Sequence, residues 1–478
     1  MDYKLSIAFS IFAWLFIQTS LKAEVKLASI FTDNMVLQQK AQVPIWGWAT
    51  PGKNVKVSTS WNGRNYSGKA DNTGKWLIKV ATPQAGGPYD VSISDGKAIK
   101  LKNVLVGEVW ICGGQSNMEM PMKGFKGQPI TGSNEAILRS GNAKIRLYTV
   151  PRSSITEKQE NSKPSAWKLA GPETVANFSA TAYYFGQMLS ELLQVPVGVI
   201  NDSYGGSSIE AWMSPEALKS FPEIKIPEKG SAIKEVSRTP TTLYNGMLSP
   251  VMGFGIRGAI WYQGESNYDR PDQYELLFPA MVKEWRTAWD RGEFPFYYAQ
   301  IAPYNYAQLP PYRTGGKYNS AFIRDAQRKS MAKIPNSGMA VLMDVGEEKS
   351  IHPASKKQAG TRLAYLALGQ TYHIKGFGYA SPAFDTLQVN ENKAVIKFQN
   401  VANGLTTFGK ETSLFEIAGA DRKFYPAKAV VSGSSVTLTA EQVKQPVAVR
   451  YAFKDFVTGD LFGTDGLPVS SFRTDNWD

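Results

Sequence analysis

With 478 residues, 43% hydrophobic and 20% charged, the chain has the composition of a globular protein of two or three domains, able to bury its cores without covalent staples. Lys and Arg number 53 against 41 Asp and Glu, a formal charge of +12, yet basic residues run no longer than pairs such as Lys356-Lys357. That is the pattern of a solvated basic surface, and it argues against nucleic acid as a partner.

Residues 1–23 read as an export signal. Lys4 supplies a short positive region, residues 5–17 are mostly apolar, and Leu21-Lys22-Ala23 precede a cleavage site. The apolar run is short for a membrane span, so stable insertion is not expected and a periplasmic or secreted chain is; the alternative is an uncleaved amphipathic anchor. Cys112 is the single cysteine, which rules out an intramolecular disulfide, and its apolar strand predicts simple buried packing. No cysteine follows the signal to carry a lipid.

Residues 24–104 read as an all-β domain. β-rich runs at 43–48, 55–60 and 76–80 alternate with the turn signals Pro51-Gly52, Asn62-Gly63 and Gly86-Gly87-Pro88, which predicts a small sandwich. From 105 to 375 the pattern becomes α/β. Apolar strands are expected at 105–111, 195–200, 256–262, 296–301 and 339–345. Phe178, Ala182, Phe185, Leu189 and Leu192 share one helical face, and a second helix is expected from Pro353 to a stop at Gly369. Alternating strand and helix implies a parallel sheet covered on both faces, with ligands at the carboxyl ends of its strands. Residues 376–478 return to short strands, at 394–398, 427–431, 436–439 and 447–451, and predict a second small β-domain.

Candidate chemistry collects in loops after those middle strands. Of the two histidines, His373 follows a helix and reads as structural, whereas His352 follows the 339–345 strand. An imidazole there suits a general base, since its pKa lies near neutral pH. Gly113-Gly114-Gln115-Ser116 follows the 105–111 strand; glycines permit the sharp turn that exposes a serine Oγ and aims its N–H at an oxyanion. Residues 201–208 and 261–267 follow two further strands. Gly206 can present its backbone N–H, and Gln263 or Asn267 an amide; with the N–H of Ser116 they would form a three-donor oxyanion hole. Neither a metal-ligand cluster nor a phosphate loop is present, and no cofactor is expected.

Gly-Gln-Ser-Asn-Met around Ser116, Tyr-Gly-Gly-Ser at 204–207, Ile-Glu-Ala-Trp at 209–212, Trp-Tyr-Gln-Gly-Glu-Ser at 261–266 and Ile-His-Pro at 351–353 resemble the blocks of SGNH hydrolases, nearest their sialate O-acetylesterase and acetylxylan-esterase-like branch. The flanking β-segments, including residues 415–421, are similar too, so the likeness covers nearly the whole mature chain. It implies a three-layer catalytic domain flanked by small sandwich or jelly-roll-like β-domains. It further implies that Ser116 attacks an O-acetyl ester of a glycan or sialoside, with His352 as base and Gly206 and Gln263 at the oxyanion hole. One departure stands out. The family commonly places an acid two or three residues before the histidine, where this chain has Lys349 and Ser350. Asp344, Glu347, Glu348 and Ser350 are the nearby candidates for a third member. A Ser–His pair with Ser350 or a backbone carbonyl orienting the imidazole is the other reading. The missing acid also leaves room for a rival, a carbohydrate-binding protein whose hydrolase domain has lost activity.

Overall fold

The computed structural model describes residues 24–309 and 319–477; the signal expected at 1–23 lies outside them. Its spine is the strand Ala98–Gly114. From Val104 onward this strand is almost wholly buried, because Val, Leu, Trp, Ile and Cys side chains point alternately into cores on both faces. Val197–Ser203 and Gly258–Tyr262 pair with it in parallel on either side. Asn142–Thr149 extends the sheet beyond the first, and Phe296–Ala299 and Ser337–Ala340 extend it beyond the second, all parallel. Lys168–Ala170 adds an antiparallel edge.

Helices cover both faces. Ala180–Leu193 and Lys356–Leu366 pack together over Trp110, Cys112, Val199, Ile260 and Tyr297. Pro271–Trp289 and Ala321–Ser330 lie on the face of Ile111, Ile200, Trp261 and Tyr298. Odd and even strand residues divide cleanly between the two cores, as the period of two requires. Leu192, expected on the buried helical face, is exposed: it sits in the last turn, just before Gln194 at φ +56° ends the helix.

The helix after His352 starts later than Pro353 suggests, at Lys356, and its continuation Ala367–Thr371 runs through Gly369 rather than stopping there. Residues 353–355 instead close a loop, with the Ala354 N–H held by the Glu347 carboxylate at 2.6 Å. Gly369 has a packing reason instead, since a Cβ there would lie 2.3 Å from the Tyr379 ring.

Near the amino terminus, Gln42–Trp48 pairs with Lys26–Leu27 and Lys75–Ala81, facing a second sheet of Asn54–Thr59, Asn65–Lys69 and Gly86–Ser94. That second sheet joins the first half of Ala98–Gly114, so the boundary expected at 104–105 falls inside one continuous strand. Two further four-stranded antiparallel sheets follow residue 380. They dock through a polar seam: buried Arg324 donates to Ser471 Oγ at 3.1 Å and to the carbonyls of Lys454 and Asp455, and Gln300 Nε2 donates to Ser470 Oγ at 2.8 Å. Among the described residues, no helix is long and apolar enough to cross a membrane, and no group of three or more His, Cys, Asp or Glu is placed to hold a metal ion.

Candidate active site

Ser116 opens a short helix, Ser116–Glu119, directly at the carboxyl end of the central strand. The turn depends on its glycines. Gly114 has φ +137°, and a Cβ there would lie 2.2 Å from the Tyr262 carbonyl oxygen. Gln115 locks the turn to the neighbouring loop: its N–H donates to the Tyr262 carbonyl at 2.9 Å, and its Oε1 accepts from the N–H groups of Gly264 and Ser266 at 3.3 Å. On the other side, the Tyr204 N–H donates to the Gly114 carbonyl at 3.0 Å, and Gly205 N–H donates to Glu119 Oε2 at 2.8 Å. Glu119 is in turn paired with Arg152, which lies over the Tyr204 ring.

His352 reaches this serine across 236 residues of sequence: its Nε2 lies 2.7 Å from Ser116 Oγ. Its Nδ1 lies 2.7 Å from Gln128 Oε1. The ring is flanked edge-on by Phe125, 5.4 Å between centroids. Burial, and then the Lys356 ammonium, push the imidazole down to about 4, so the ring is neutral in the folded protein over the neutral range.

Beneath the pair lies a buried polar cluster. Asn117 Oδ1 accepts from Lys356 Nζ, and its Nδ2 donates to Glu265 Oε1 and, at 3.0 Å, to the Ile351 carbonyl. One side chain thus ties the serine turn, the 265 loop and the histidine loop together. Lys356 is fully buried rather than part of a solvated pair; burial depresses its ammonium to about 7, partly opposed by Glu265 and Glu347. Burial raises the Glu265 carboxyl, against the bonds it accepts and the nearby Lys356.

The other expected site residues fall in three groups. Gly206 lies beside the serine turn with φ +74°, its carbonyl held by Ser266 Oγ at 3.0 Å and Arg238 Nε at 3.3 Å. Gln263 and Asn267 are fully buried and do not offer amides to the cleft. Gln263 Nε2 donates to the Ser207 carbonyl at 3.1 Å and to Asn267 Oδ1 at 2.8 Å, which uses both its hydrogens. Asn267 Oδ1 also accepts from the Ile209 N–H, and its Nδ2 donates to Glu210. Their geometry corrects the three-donor expectation: they brace the 206–209 loop from behind.

None of the nearby acids reaches the imidazole. Asp344 is bidentate on Arg362 at 2.6 Å, Glu347 holds the Ala354 N–H, and Glu348 is exposed. Ser350 Oγ donates to the backbone carbonyl of His352 at 3.0 Å, not to its ring. The residue that does meet Nδ1, Gln128, sits in a loop with no periodicity to single it out; the two glycines just before it, at 124 and 127, are its one sequence signal. His373 lines a crevice at the amino ends of the strands with Lys40, Arg257 and Arg291, far from Ser116.

The family of carbohydrate esterases described as sialic acid-specific acetylesterases matches residues 106–368, which hold every loop described above. The chain is a carboxylic-ester hydrolase. Sialate O-acetylesterase of Pongo abelii is 30% identical over 90% of this chain and 87% of its own length, and the Homo sapiens protein of that name is 29% identical over the same shares. The crystal structure of a carbohydrate acetylesterase from Xanthomonas citri is 34% identical, with TM-score 0.85, over 95% of this chain and all of that one. The chain belongs to the sialic acid-specific acetylesterase family of carbohydrate esterases.

Proposed function

We propose that the protein removes O-acetyl groups from acetylated sialosides or related glycans by two-step acyl transfer, on an SGNH-type three-layer domain spanning 105–375. The β-segments 24–104 and 376–478 flank it, and the mature chain is periplasmic or secreted, its export signal cleaved near Ala23. The observation that carries the reading is the 2.7 Å contact between His352 Nε2 and Ser116 Oγ at the end of a glycine-turned strand. His352 takes the Oγ proton as Oγ attacks the acetyl carbonyl carbon. The N–H groups of Ser116, in the first helical turn, and of Gly206 hold the oxyanion. The imidazolium then gives its proton to the departing sugar oxygen, and water, deprotonated by His352, releases acetate and frees Ser116.

A neutral imidazole in contact with a turned-out serine favours an active esterase over a binding protein with a dead site. Relatives named for sialate favour sialosides over acetylated xylan as the first substrates to try. The test is acetate release from a panel of O-acetylated sialosides and acetylated xylans. Wild-type protein is expected to release acetate, with sialosides preferred, and Ser116→Ala to release none while keeping its melting temperature. Activity retained in Ser116→Ala, or an organophosphonate label on another residue, would overturn the assignment.

A further inference from the structure

Gln128 belongs to a loop built to hold it still. Met122 and Lys123 N–H groups donate to the carbonyls of Phe178 and Ala176, and the Thr131 N–H donates to the Ala354 carbonyl, so the loop is pinned at both ends. Between them, Gly124 turns with φ +82° directly against the Gln128 carbonyl, which leaves no room for a Cβ. The Gln128 N–H closes back on the Phe125 carbonyl at 3.0 Å. Phe125 itself rests against the imidazole. The backbone that carries the Gln128 amide is therefore pinned on both sides of the site.

An amide oxygen can only accept a hydrogen bond. With Gln128 Oε1 at Nδ1, the proton of neutral His352 must sit on Nδ1, and the lone pair of Nε2 then faces the Ser116 hydroxyl. We propose that Gln128 is the positioning residue of this esterase, standing where a catalytic triad would hold a carboxylate and fixing the base in its reactive tautomer without charging it. The proposal rests on the assignment of Ser116 and His352 made above.

Neutrality has a consequence for pH. An aspartate at Nδ1 would favour the imidazolium and raise its pKa. Here the charged groups around the ring are Lys356 on the following helix, Glu347 on the preceding loop, Glu265 after the strand Gly258–Tyr262, the Glu119–Arg152 pair beyond Ser116, and exposed Lys126 on the loop of Gln128. Lys356 opposes protonation, and with burial it holds the ring neutral far below its ordinary range. The base is competent only when neutral, so activity should persist well into the acid range before it falls.

The experiment measures kcat and KM on one soluble acetyl ester from about pH 4 to pH 9, with melting temperatures, for wild type, Gln128→Met, Gln128→Glu and Ser116→Ala. Gln128→Met, which keeps length but removes the acceptor, should lose roughly 10–10³-fold in kcat with KM little changed. Gln128→Glu should stay active at neutral pH and move the acid limb upward by about one unit or more. Wild-type kcat and pH profile in Gln128→Met, a loss confined to KM, or an unmoved acid limb in folded Gln128→Glu would each overturn the proposal. If Gln128→Glu does not fold, Gln128→Met decides alone. Ser116→Ala separates the two readings: full activity there removes the serine assignment itself. An inactive Ser116→Ala beside an unaffected Gln128→Met removes Gln128 and leaves the serine.

Discussion

The two ends of the central sheet each bury a glutamate beside a histidine loop, and they treat it differently. At the amino end, Glu108 accepts from Gln38, Gln39, Tyr372 and, through two nitrogens, Arg257, at 2.6–3.3 Å. At the carboxyl end, Glu265 accepts from Asn117 on one oxygen, while its other oxygen meets no protein partner among the described residues. That same end carries Gly114, Gly206 and Gly264, all at positive φ, and the displaced imidazole and ammonium of His352 and Lys356. Burial of polar groups is common to both ends. What sets the carboxyl end apart is a buried carboxylate oxygen left unpartnered, backbone that only glycine tolerates, and an imidazole and an ammonium both lowered by burial, all in one place. The amino end, fully bonded, is built to hold the sheet, the first β-segment and the 372 loop together.

The largest effect that can break this contrast comes from the histidines. Under the proposed mechanism His352→Ala costs roughly 10⁴–10⁶-fold in kcat, since nucleophile and base would act as a unit. His373→Ala should stay within about twofold in the same acetyl-ester assay. Comparable losses in both would erase the distinction between the two ends.

Of intermediate size is Arg257→Ala, which leaves Glu108 buried with fewer donors. It should lower unfolding free energy by about 1–3 kcal/mol with kcat intact. Denaturant unfolding beside a rate assay checks it, and a fall in kcat at unchanged stability would place the amino end in the chemistry.

The smallest expected effect is a pH slope in stability set by Asp202, in the strand Val197–Ser203. Neither carboxyl oxygen meets a protein partner among the described residues, and burial pushes the group up to about 8. Between its ordinary value, 3.8, and that raised one, the native state keeps a proton that the unfolded chain releases, so stability should fall as pH rises through this window. Asp202→Asn should flatten that slope in a melting-temperature series and leave kcat within about twofold. A slope that survives the substitution would assign it to another group.

Much of the site is legible in short stretches of sequence. Gly-Gly-Gln-Ser after an apolar run places Ser116 at a strand end because glycine accepts the backbone that the turn needs; Gly206 follows by the same logic, and His352 by its place in the loop after an apolar run. The helix Ala180–Leu193 is legible from its period, and the inner strands of the sheet from their continuous apolar runs. The long helix Pro271–Trp289 carries apolar residues at 274, 277, 278, 281, 282 and 285, a helical spacing that Pro279 interrupts. In the structure that proline lies in the helix, whose buried face holds it in place.

Local pattern determined which residues reach the carboxyl edge of the sheet, through strand period, glycine turns and helix starts, all set by neighbours in sequence. It did not determine which side chain meets which nitrogen. Gln128 and His352 are 224 residues apart, Lys356 and Asn117 239, and no spacing rule links them. Proximity in sequence pointed to Asp344, Glu348 and Ser350 as partners of the imidazole, but the chain turns between them and the ring. Gln263 and Asn267 carry the right amides on the right loop, and only packing decided that they point inward. Those outcomes depend on how loops from different strands dock on one another, where each buried donor must find an acceptor and the nearest acceptor in space is seldom the nearest in the chain.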